Sequence, residues 1–494
     1  MVVVGIDLGT QSLKAVVCNE RFDILGSFGV AQTTAYPRPG WAEQDPRAWE
    51  AALAPAIEGA LMAAGVHAQD VAAIGLSGQL DGCVAVDTHG APLHPALIWQ
   101  DKRASDHLRA DATRLFQITG QIADASHMAA KARWLRAAGI AAARFHQPVT
   151  YLVERLTGAA VIDPAHASTT MLYDLLAGTW SAELLAAFEL DASMLPTLQP
   201  AHAVAGVLTA QGAQLTGLPP GIRVAVGTGD DFATPIGAGI VSAGSIAVTI
   251  GTAEVVGAIA DTPVFDVPAV RAASDPWREL AEPMVETHAY PTGTFFVENP
   301  GWLAGGAVRW AIETFGFADE AAFDRAAAQA PAGAAGVTFV PSLTGAMTPV
   351  WRGHARGTLH GLSNAHDRAH IARAVLEGIA FASRDVARRL VALGLPAREV
   401  IVLGGGSRSG LWMQLRADAL GLVHRVANRT DTCAIGAAML ASVAIGTHAD
   451  IYTAAANAAQ HPTTFEPRES LEEAYGRYRR LVAALAPLAD QPWA

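Results

Sequence analysis

Three shortages in the sequence each exclude a class of protein. Cysteine is rare: the 494 residues include only Cys18, Cys83 and Cys433, whose wide spacing offers neither a disulfide framework nor a zinc motif and predicts three buried thiols. Charged residues are 16% of the chain, and the net charge of −12 is spread without basic blocks, so binding to nucleic acid or to an anionic membrane is not expected. The longest charge-free apolar run near the C-terminus, 434–446, is too short to cross a bilayer.

Two common nucleotide motifs and a secretion signal are also missing. No GxxxxGK sequence occurs, which excludes a P-loop enzyme. The segment GGGSRSG (404–410) superficially resembles a dinucleotide fingerprint, but Ser409 stands where the third glycine belongs, so a dehydrogenase is a weak alternative. The N-terminus starts directly with a strand-like run and has no positive region or cleavage site. These absences predict a cytoplasmic protein.

The chain is long and apolar enough for two buried cores. Hydrophobic residues are 51% of the total, and single cores stop growing at roughly 250–300 residues. Strand-like runs alternate with alanine-rich helical stretches on both sides of residue 240. The pattern predicts two α/β domains, 1–240 and 241–494, with the last helix lying either in its own domain or back on the first.

Two copies of one turn are the main positive feature. GIDLGTQSLKAVV (5–17) and AVTIGTAEVVGAI (247–259) are each an apolar strand, a Gly-Thr turn and a second apolar strand. One such turn could be purely structural, but two predict related domains facing one nucleotide, because successive N–H groups and a threonine hydroxyl can hold phosphate. Asp7 is costly to bury unless it meets a cation, so a water-bridged magnesium ion is predicted there. The side chains that the first turn offers to phosphate are Thr10, Gln11, Ser12 and Lys14.

Neighbouring acids and two polar segments predict a substrate site. GTGDD places Asp230 and Asp231 where a strand ends and a helix starts, and ligands gather at such points in layered α/β folds. An aspartate there could take a proton from an attacking hydroxyl, although helix capping is a competing explanation. SGQLDG (77–82) and ALIWQDKRA (96–104) combine short polar groups with an aromatic wall, as sugar sites do, although each residue alone could be a surface group. The side chains they supply are Gln79, Asp81, Trp99, Asp101 and Arg103.

Together these segments resemble the FGGY carbohydrate kinases, within the actin/Hsp70/sugar-kinase ATPase superfamily, and are most similar to the xylulokinases. The resemblance runs through GIDLGTQSLK, GWAEQDP (40–46), SGQLDG, ALIWQDKRA, GTGDD, IGTAE and GGGSRSG, and 357–377 fits the family's C-terminal signature. It implies two actin-like (ribonuclease H-like) ATPase domains, each with a mixed β-sheet, and a cleft between them. It also implies ATP-dependent phosphorylation of a sugar's terminal hydroxyl, with Mg²⁺ as cofactor.

The resemblance also implies roles for individual residues. Asp230 is expected to be the catalytic base and Asp7 to lie at the metal and phosphates, with Thr10 and Thr252 touching the phosphate chain. The residues implied to border the adenosine and its phosphates are Gly251, Gly305, Gly306, Gly405, Gly406 and Ser409. Those implied to surround the sugar are Leu80, Asp81, Asp230 and Asp231.

Two departures from the family pattern leave the substrate open. Xylulokinases usually have GQMHG where this chain has GQLDG, and asparagine where it has Asp231. Each change introduces an acceptor-only carboxylate, so hydrogen bonds to sugar hydroxyls must run in the other direction. D-xylulose is the first candidate substrate, and ribulose, L-xylulose or a polyol such as erythritol are alternatives. The non-enzyme alternative is a nucleotide-switched binding protein of the actin or Hsp70 kind, and a homodimer is left open.

Overall fold

The protein consists of two compact units. The computed structural model describes residues 1–268, 282–346, 352–427, 429–458 and 462–489. Unit 1 comprises Met1–Val241, Thr287–Phe295 and Asp431–Ala459, and unit 2 comprises Ser242–Glu286, Phe296–Thr430 and Gln460–Ala494. Each unit contains a central mixed β-sheet with helices, which confirms the predicted α/β class.

Strands and helices are numbered in chain order. The strands up to residue 241 are β1 (Val2–Leu8), β2 (Ser12–Cys18), β3 (Ile24–Ala31), β4 (Glu43–Gln44), β5 (Val71–Gly78), β6 (Val84–Val86), β7 (Ala96–Leu97), β8 (Arg144–His146), β9 (Val161–Ile162), β10 (Tyr173–Asp174), β11 (Thr179–Trp180), β12 (Thr197–Leu198), β13 (Val204–Val207), β14 (Arg223–Ala225) and β15 (Thr228–Gly229). The helices over the same range are α1 (Pro46–Ala64), α2 (Ala112–Thr119), α3 (Met128–Ala137), α4 (Pro148–Thr157), α5 (Pro164–Ser168), α6 (Ala182–Ala187), α7 (Ala210–Thr216) and α8 (Asp230–Gly237). The later strands are β16 (Gly244–Ile250), β17 (Ala253–Ala260), β18 (Glu286–Ala289), β19 (Phe295–Leu303), β20 (Thr338–Val340), β21 (Thr358–His360), β22 (Ala397–Leu403), β23 (Val423–Val426) and β24 (Thr463–Phe465). The later helices are α9 (Gly305–Phe315), α10 (Glu320–Ala327), α11 (Arg368–Ala392), α12 (Gly410–Leu420), α13 (Thr432–Ala444), α14 (Ile451–Asn457) and α15 (Glu472–Ala489).

The central sheet of unit 1 has the order β13-β14-β5-β1-β2-β3, with β15 also pairing with β5. Strand β1 is antiparallel to β2, with which it forms the first Gly-Thr hairpin, and parallel to β5. Its apolar sequence VVVGIDL is buried almost throughout, as expected for a strand at the middle of a sheet covered on both faces. The carboxyl ends of β1, β5 and β15 therefore meet at one edge of this sheet, because these three strands run in the same direction.

The central sheet of unit 2 repeats this plan. It contains the order β19-β17-β16-β22-β23-β24. Strand β16 is antiparallel to β17 and parallel to β22, β22 is parallel to β23, and β24 closes the series as an antiparallel edge. The two Gly-Thr hairpins thus hold equivalent positions in two sheets of the same connectivity, as the sequence repeat predicts.

Helix α13 packs backbone to backbone inside unit 1. A Cβ atom added to Gly5 of β1 would lie 1.9 Å from the Ala434 carbonyl oxygen, and one on Gly75 of β5 would lie 1.8 Å from that of Ala437. At the facing helix α8, a Cβ on Gly436 would lie 2.0 Å from a carbonyl oxygen. Small residues are therefore required on both sides of these contacts. Within the described ranges, no helix combines the length and apolar character that a membrane span needs.

The first break between the units follows Val241, beside the predicted boundary at residue 240, but Thr287–Phe295 and Asp431–Ala459 return to unit 1. Helices α13 and α14 belong to unit 1 although they follow nearly all of unit 2 in sequence. The last helix, α15, belongs to unit 2, where Tyr475 and Tyr478 pack on Phe381 of α11. The physical reason is composition: α13 is buried along almost its whole length and needs a neighbour on every side, whereas α15 buries one face only.

Candidate active site

Three aspartates gather at the sheet edge of unit 1. Asp7 lies near the carboxyl end of β1, and Asp230 and Asp231 form the first turn of α8, directly after β15. Burial raises the pKa of Asp7 to about 6. Burial also raises the pKa of Asp230 well above its usual value, and the charges of Asp231 and Asp7 add to that effect. The cluster therefore favours binding a proton or a cation between its oxygens.

The acid cluster fits a magnesium ion held mainly by other ligands. Among the described residues, no group of three or more His, Cys, Asp or Glu side chains is arranged to hold a metal. Magnesium usually takes one or two carboxylates and completes its shell with water and phosphate oxygens. Asp7 provides one partly buried carboxylate for that role, and its charge acts on the neighbouring Asp230.

The first Gly-Thr turn is tightly closed. The Gly9 N–H donates to the Ser12 carbonyl at 3.0 Å. The Thr10 hydroxyl accepts a hydrogen bond from the Trp99 indole at 3.0 Å, so the predicted aromatic wall lies against the predicted phosphate turn. Lys14, by contrast, is paired with Asp431 at 2.5 Å, a partner that lies at the start of α13. A phosphate contact by Lys14 would have to compete with this ion pair.

The segment SGQLDG lies beside the acid cluster. Leu80 packs on the backbone of Gly229: a Cβ atom added to Gly229 would lie 1.9 Å from Cδ2 of Leu80. Asp81 follows in the left-handed region at φ 60°, and its carboxylate is 3.1 Å from Nδ1 of His127. Burial alone would raise the pKa of Asp81, but His127 and the Lys131 ammonium together bring it below its usual value. Asp81 is therefore held ionised, directly after the residue that packs on Gly229.

Two residues predicted to touch a sugar, Asp101 and Arg103, form structural contacts. Asp101 is fully buried, accepts from the Ala42 N–H at 2.6 Å and forms a two-atom ion pair with Arg103. The Arg103 guanidinium also stacks on Trp41 at 3.6 Å. The charges of both side chains are paired within the protein, and their contact with substrate stays a prediction.

Several residues around the site were missed from the sequence. Cys433 donates from Sγ to Asp7 Oδ1 at 3.2 Å and lies 3.1 Å from the Ser77 hydroxyl, although Ser77 and Cys433 are 356 residues apart. Its burial was predicted and is confirmed, but its contact with Asp7 was not. Lys131 is fully buried and donates to the carbonyl oxygens of Asp81 and Ile98 at 2.8 and 2.7 Å. No local motif surrounds either residue, so only the fold reveals them.

Unit 2 contains a pocket of about 420 Å³ beside the second Gly-Thr turn. The predicted nucleotide residues that line it are Gly251, Thr252, Gly305, Gly405, Gly406 and Ser409. Gly306 lies next to it, because its N–H donates to the Thr252 carbonyl at 3.0 Å. Two arginines and two acids also line the pocket: Arg309, Arg408, Glu320 and Asp324. The arrangement of glycine turns, cations and a helix start suits a phosphate-bearing ligand.

The glycine turn after β22 is shaped for close approach. Gly404 adopts φ 86°, and a Cβ atom there would lie 2.4 Å from the Ile250 carbonyl oxygen. Ser409 then caps α12 by accepting from the Trp412 N–H at 3.0 Å, and its own hydroxyl donates to Asp324 at 2.6 Å. The sequence GGGSRSG is thus a strand-to-helix connection that opens into the pocket, as predicted, and Ser409 serves it as a helix cap.

A buried ion pair fixes the second hairpin. Glu254 lies two residues after Thr252. Its two oxygens accept hydrogen bonds from Nη1 and Nη2 of Arg416 at 2.9 and 2.6 Å. The Ser383 hydroxyl also donates to Glu254 and accepts from Arg416 at 2.8 Å. All three side chains are fully buried. Because a paired buried charge tolerates little displacement, this cluster holds β17 against α11 and α12.

Asp163→Asn is expected to stabilise the protein increasingly as the pH rises. Burial raises the pKa of Asp163 from 3.8 to about 7, although Thr228 and the start of α5 donate hydrogen bonds to its carboxylate. Between these two values the folded chain keeps a proton that the unfolded chain has released, so the free energy of unfolding of the native protein falls as pH rises. Asparagine does not titrate and keeps one acceptor oxygen for Ala165 and Thr228, although its NH2 group would face the His166 N–H, which donates to Oδ1 at 3.3 Å. Its stability relative to the native protein is therefore expected to rise by up to about 4 kcal/mol between pH 4 and pH 8.

Urea unfolding of Asp163→Asn and the native protein at pH 4.5 and pH 8 measures this difference. The exposed Asp106→Asn is the control and is expected to show the same small effect at both pH values. An Asp163→Asn effect that does not change with pH would contradict the assignment of a buried, protonated carboxyl group.

Comparisons with known proteins agree with this geometry. Models of the FGGY family of carbohydrate kinases match residues 2–237 with the N-terminal domain and 246–445 with the C-terminal domain. A xylulose kinase from Klebsiella pneumoniae is 32% identical over 98% of this chain and 96% of that protein, and a glycerol kinase from Bordetella parapertussis is 33% identical over 90% and 89%. The crystal structure of a xyloylose kinase from Brucella ovis matches with a TM-score of 0.89 at 32% identity, covering 99% of this chain and 100% of that one. These matches show that the chain belongs to the FGGY family of carbohydrate kinases.

Proposed function

We propose that this sugar kinase transfers the γ-phosphate of ATP to a hydroxyl of a ketopentose or polyol, with Asp230 as the general base. The observation that supports this most directly is the burial of Asp230 beside Asp7 and Asp231, which raises its pKa. An aspartate with an ordinary pKa is a weak base at neutral pH. A raised pKa brings the pKa of the base closer to the pH at which the enzyme works.

The residues of unit 2 provide the nucleotide site in this proposal. The 420 Å³ pocket would hold ATP, with Gly405 and Gly406 near its phosphates and Thr252 at the turn. Mg²⁺, when bound, neutralises charge on the phosphate oxygens, and Asp7 would hold it. The fixed N–H groups of the glycine turns offset further charge in the transition state without having to reorganise.

The residues of unit 1 provide the acceptor site. Asp230 would accept the proton of the attacking hydroxyl as the new P–O bond forms, and Asp81 and Asp231 would orient other hydroxyls as hydrogen-bond acceptors. Leu80 packs on Gly229 and so fixes the position of Asp81 relative to the base. A neutral, polyhydroxylated acceptor suits this group of carboxylates better than a sugar acid, because a carboxylate substrate would be repelled.

D-xylulose is the first candidate acceptor, and the relatives support both it and a smaller polyol. One relative of about one-third identity is named a xylulose kinase and another a glycerol kinase. The ionised Asp81 replaces the histidine usual in xylulokinases, so ribulose, L-xylulose and erythritol remain alternatives. All four carry terminal hydroxyls that can donate to a carboxylate.

A coupled assay of ADP release over a panel of acceptors tests the proposal. We expect one ketopentose or polyol to raise ADP release at least about a hundredfold over the acceptor-free rate, because the chemical step depends on a correctly positioned hydroxyl. The panel comprises D-xylulose, L-xylulose, D-ribulose, erythritol, glycerol and, as the negatively charged control, gluconate. Preferential use of gluconate would contradict the acceptor chemistry proposed for Asp81, and release independent of every acceptor would contradict the kinase function itself.

A further inference from the structure

The motif GWAEQDP contains a residue that connects both halves of the proposed site in unit 1. We propose that Gln44 is a positioning residue that ties the acceptor segment at Gln79 to the phosphate turn at Thr10. This inference rests on the proposed kinase function, because it concerns how two parts of that site are held in register.

The Gln44 amide is buried and fully engaged. It is 2% exposed, and its Nε2 donates to the Thr10 carbonyl at 2.7 Å and to the Thr34 hydroxyl at 2.9 Å. Its Oε1 accepts from the Trp49 indole at 3.0 Å and from Gln79 Nε2 at 2.9 Å. A primary amide offers two donors and two acceptor sites, and all four are used here. The orientation of the group is therefore determined, because reversing it would place donors against donors.

The side chain of Gln79 is oriented by its hydrogen bond to Gln44. Its Oε1 is buried with no hydrogen-bond partner in the part of the chain that the structure describes, so the bond to Gln44 is what orients its side chain. The backbone N–H of Gln79 donates to the carbonyl of Leu8, the last residue of β1, at 2.9 Å. Gln79 was predicted to contact the sugar, but its contacts favour a role in joining SGQLDG to the first hairpin.

The second acceptor segment reaches the same residue of the turn. Trp99, from ALIWQDKRA, donates to the Thr10 hydroxyl at 3.0 Å, whereas Gln79 reaches the Thr10 carbonyl through Gln44. Both segments predicted from the sequence to face the acceptor are thus linked to Thr10, the Trp99 segment directly at its hydroxyl and the Gln79 segment through Gln44 at its carbonyl. The link through Gln44 is the one that holds the Thr10 peptide group.

This connection has a specific consequence for catalysis. Phosphoryl transfer depends mainly on placing the acceptor hydroxyl and the phosphate in line, and errors of about 1 Å cost large factors in rate. Removing Gln44 leaves each segment folded but no longer fixed to the other. We therefore expect binding of the acceptor and of the nucleotide to become independent of each other, with a loss in kcat that is larger than the several-fold rise in KM that this independence implies.

The experiment compares Gln44→Met, Gln44→Glu and a matched control. Gln44→Met keeps the volume and removes all four hydrogen bonds, whereas Gln44→Glu keeps both acceptor contacts and loses both donors, including the one to Thr10. Tyr151→Phe is the control: it removes a buried hydrogen bond to Glu50 in the same core, and its ring packs on Trp49 at 6.3 Å. Gln79→Met breaks the same link from its other end if Gln44 variants do not fold.

Two measurements are made on each full-length variant. Steady-state kinetics use the acceptor that the panel above selects, and calorimetric titration with a non-hydrolysable ATP analogue is performed with and without that acceptor. We expect Gln44→Met, Gln44→Glu and Gln79→Met to lower kcat about tenfold or more and to raise the acceptor KM by no more than the several-fold binding enhancement that they lose. We expect the native protein and Tyr151→Phe to bind the analogue several-fold more tightly when the acceptor is present, and the other variants to lose that enhancement.

The outcomes separate the inference from the function on which it rests. If the native protein releases no ADP with any acceptor, the proposed function is wrong. If it is active and Gln44→Met keeps both its kcat and the mutual enhancement of binding, the positioning role is overturned. An equal loss of kcat in Tyr151→Phe would show a general effect on stability and would also overturn it.

Discussion

Replacing Asp230 with asparagine is expected to abolish acceptor-dependent ADP release while leaving nucleotide binding in unit 2 intact. Asparagine keeps the shape of the side chain and an oxygen that can still accept from the Asp231 N–H, which donates at 3.2 Å. It cannot take up the proton of an attacking hydroxyl. Loss of a general base typically costs 10²–10⁴-fold, so we expect kcat to fall about a thousandfold.

The neighbouring Asp231→Asn provides the matched control. It removes one of the charges that raise the pKa of Asp230, so the rising limb of the pH–rate profile is expected to move to lower pH while kcat at its plateau changes less than about tenfold. ADP release in a coupled assay gives kcat, and calorimetry with ADP gives the nucleotide affinity. Near-normal turnover of Asp230→Asn, or an equal loss in both variants, would contradict the assignment of Asp230 as the base.

Replacing Gly75 with alanine is expected to destabilise unit 1 severely. The added Cβ atom would lie 1.8 Å from the Ala437 carbonyl oxygen and 2.5 Å from its carbon, and these backbone atoms cannot move without shifting α13. The same helix carries Cys433, which contacts Asp7, so displacement of α13 also disturbs the acid cluster. We expect the free energy of unfolding to fall by about 3 kcal/mol or more, the upper range of overpacking in a core.

Gly29→Ala is the control in the same sheet, because a Cβ atom on this residue of β3 would be no closer than 3.9 Å to any neighbour. It is expected to change the free energy of unfolding by less than about 1 kcal/mol, since replacing glycine in a strand with alanine adds little strain where space exists. Urea unfolding followed by far-ultraviolet circular dichroism measures both variants. Equal unfolding midpoints for the two would show that α13 does not pack on β5 as described.

The sequence was sufficient where function depends on the ends of neighbouring strands. Asp7 and Asp230 follow apolar strands, and parallel strands bring their carboxyl ends to one edge, so their proximity could be predicted. The turns at Thr10 and Thr252 could be predicted because glycine and threonine have few other reasons to recur in two matching hairpins. The same motifs were sufficient to predict the carbohydrate kinase family. With that family shown, the alternative of a nucleotide-switched binding protein is not needed.

Contacts between distant parts of the chain could not be predicted in the same way. The pairing of Lys14 with Asp431 and of Cys433 with Asp7 depends on where α13 packs, and neither carries a local pattern. Asp101 was assigned to the sugar because it follows an aromatic residue in a polar segment. Arg103 lies only two residues further along the chain, and this short spacing favours an ion pair between the two side chains over a contact of Asp101 with substrate.

The late position of α13 in the chain has a consequence for how the protein is made. Strands β1 and β5 leave the ribosome early, but the helix that covers Gly5 and Gly75 is synthesised only after nearly all of unit 2. Until then one apolar face of the nascent sheet is uncovered, and such surfaces bind chaperones or aggregate. Translation that stops anywhere before residue 432 therefore yields a polypeptide with an unfinished first unit, which cellular proteases can distinguish from the completed enzyme.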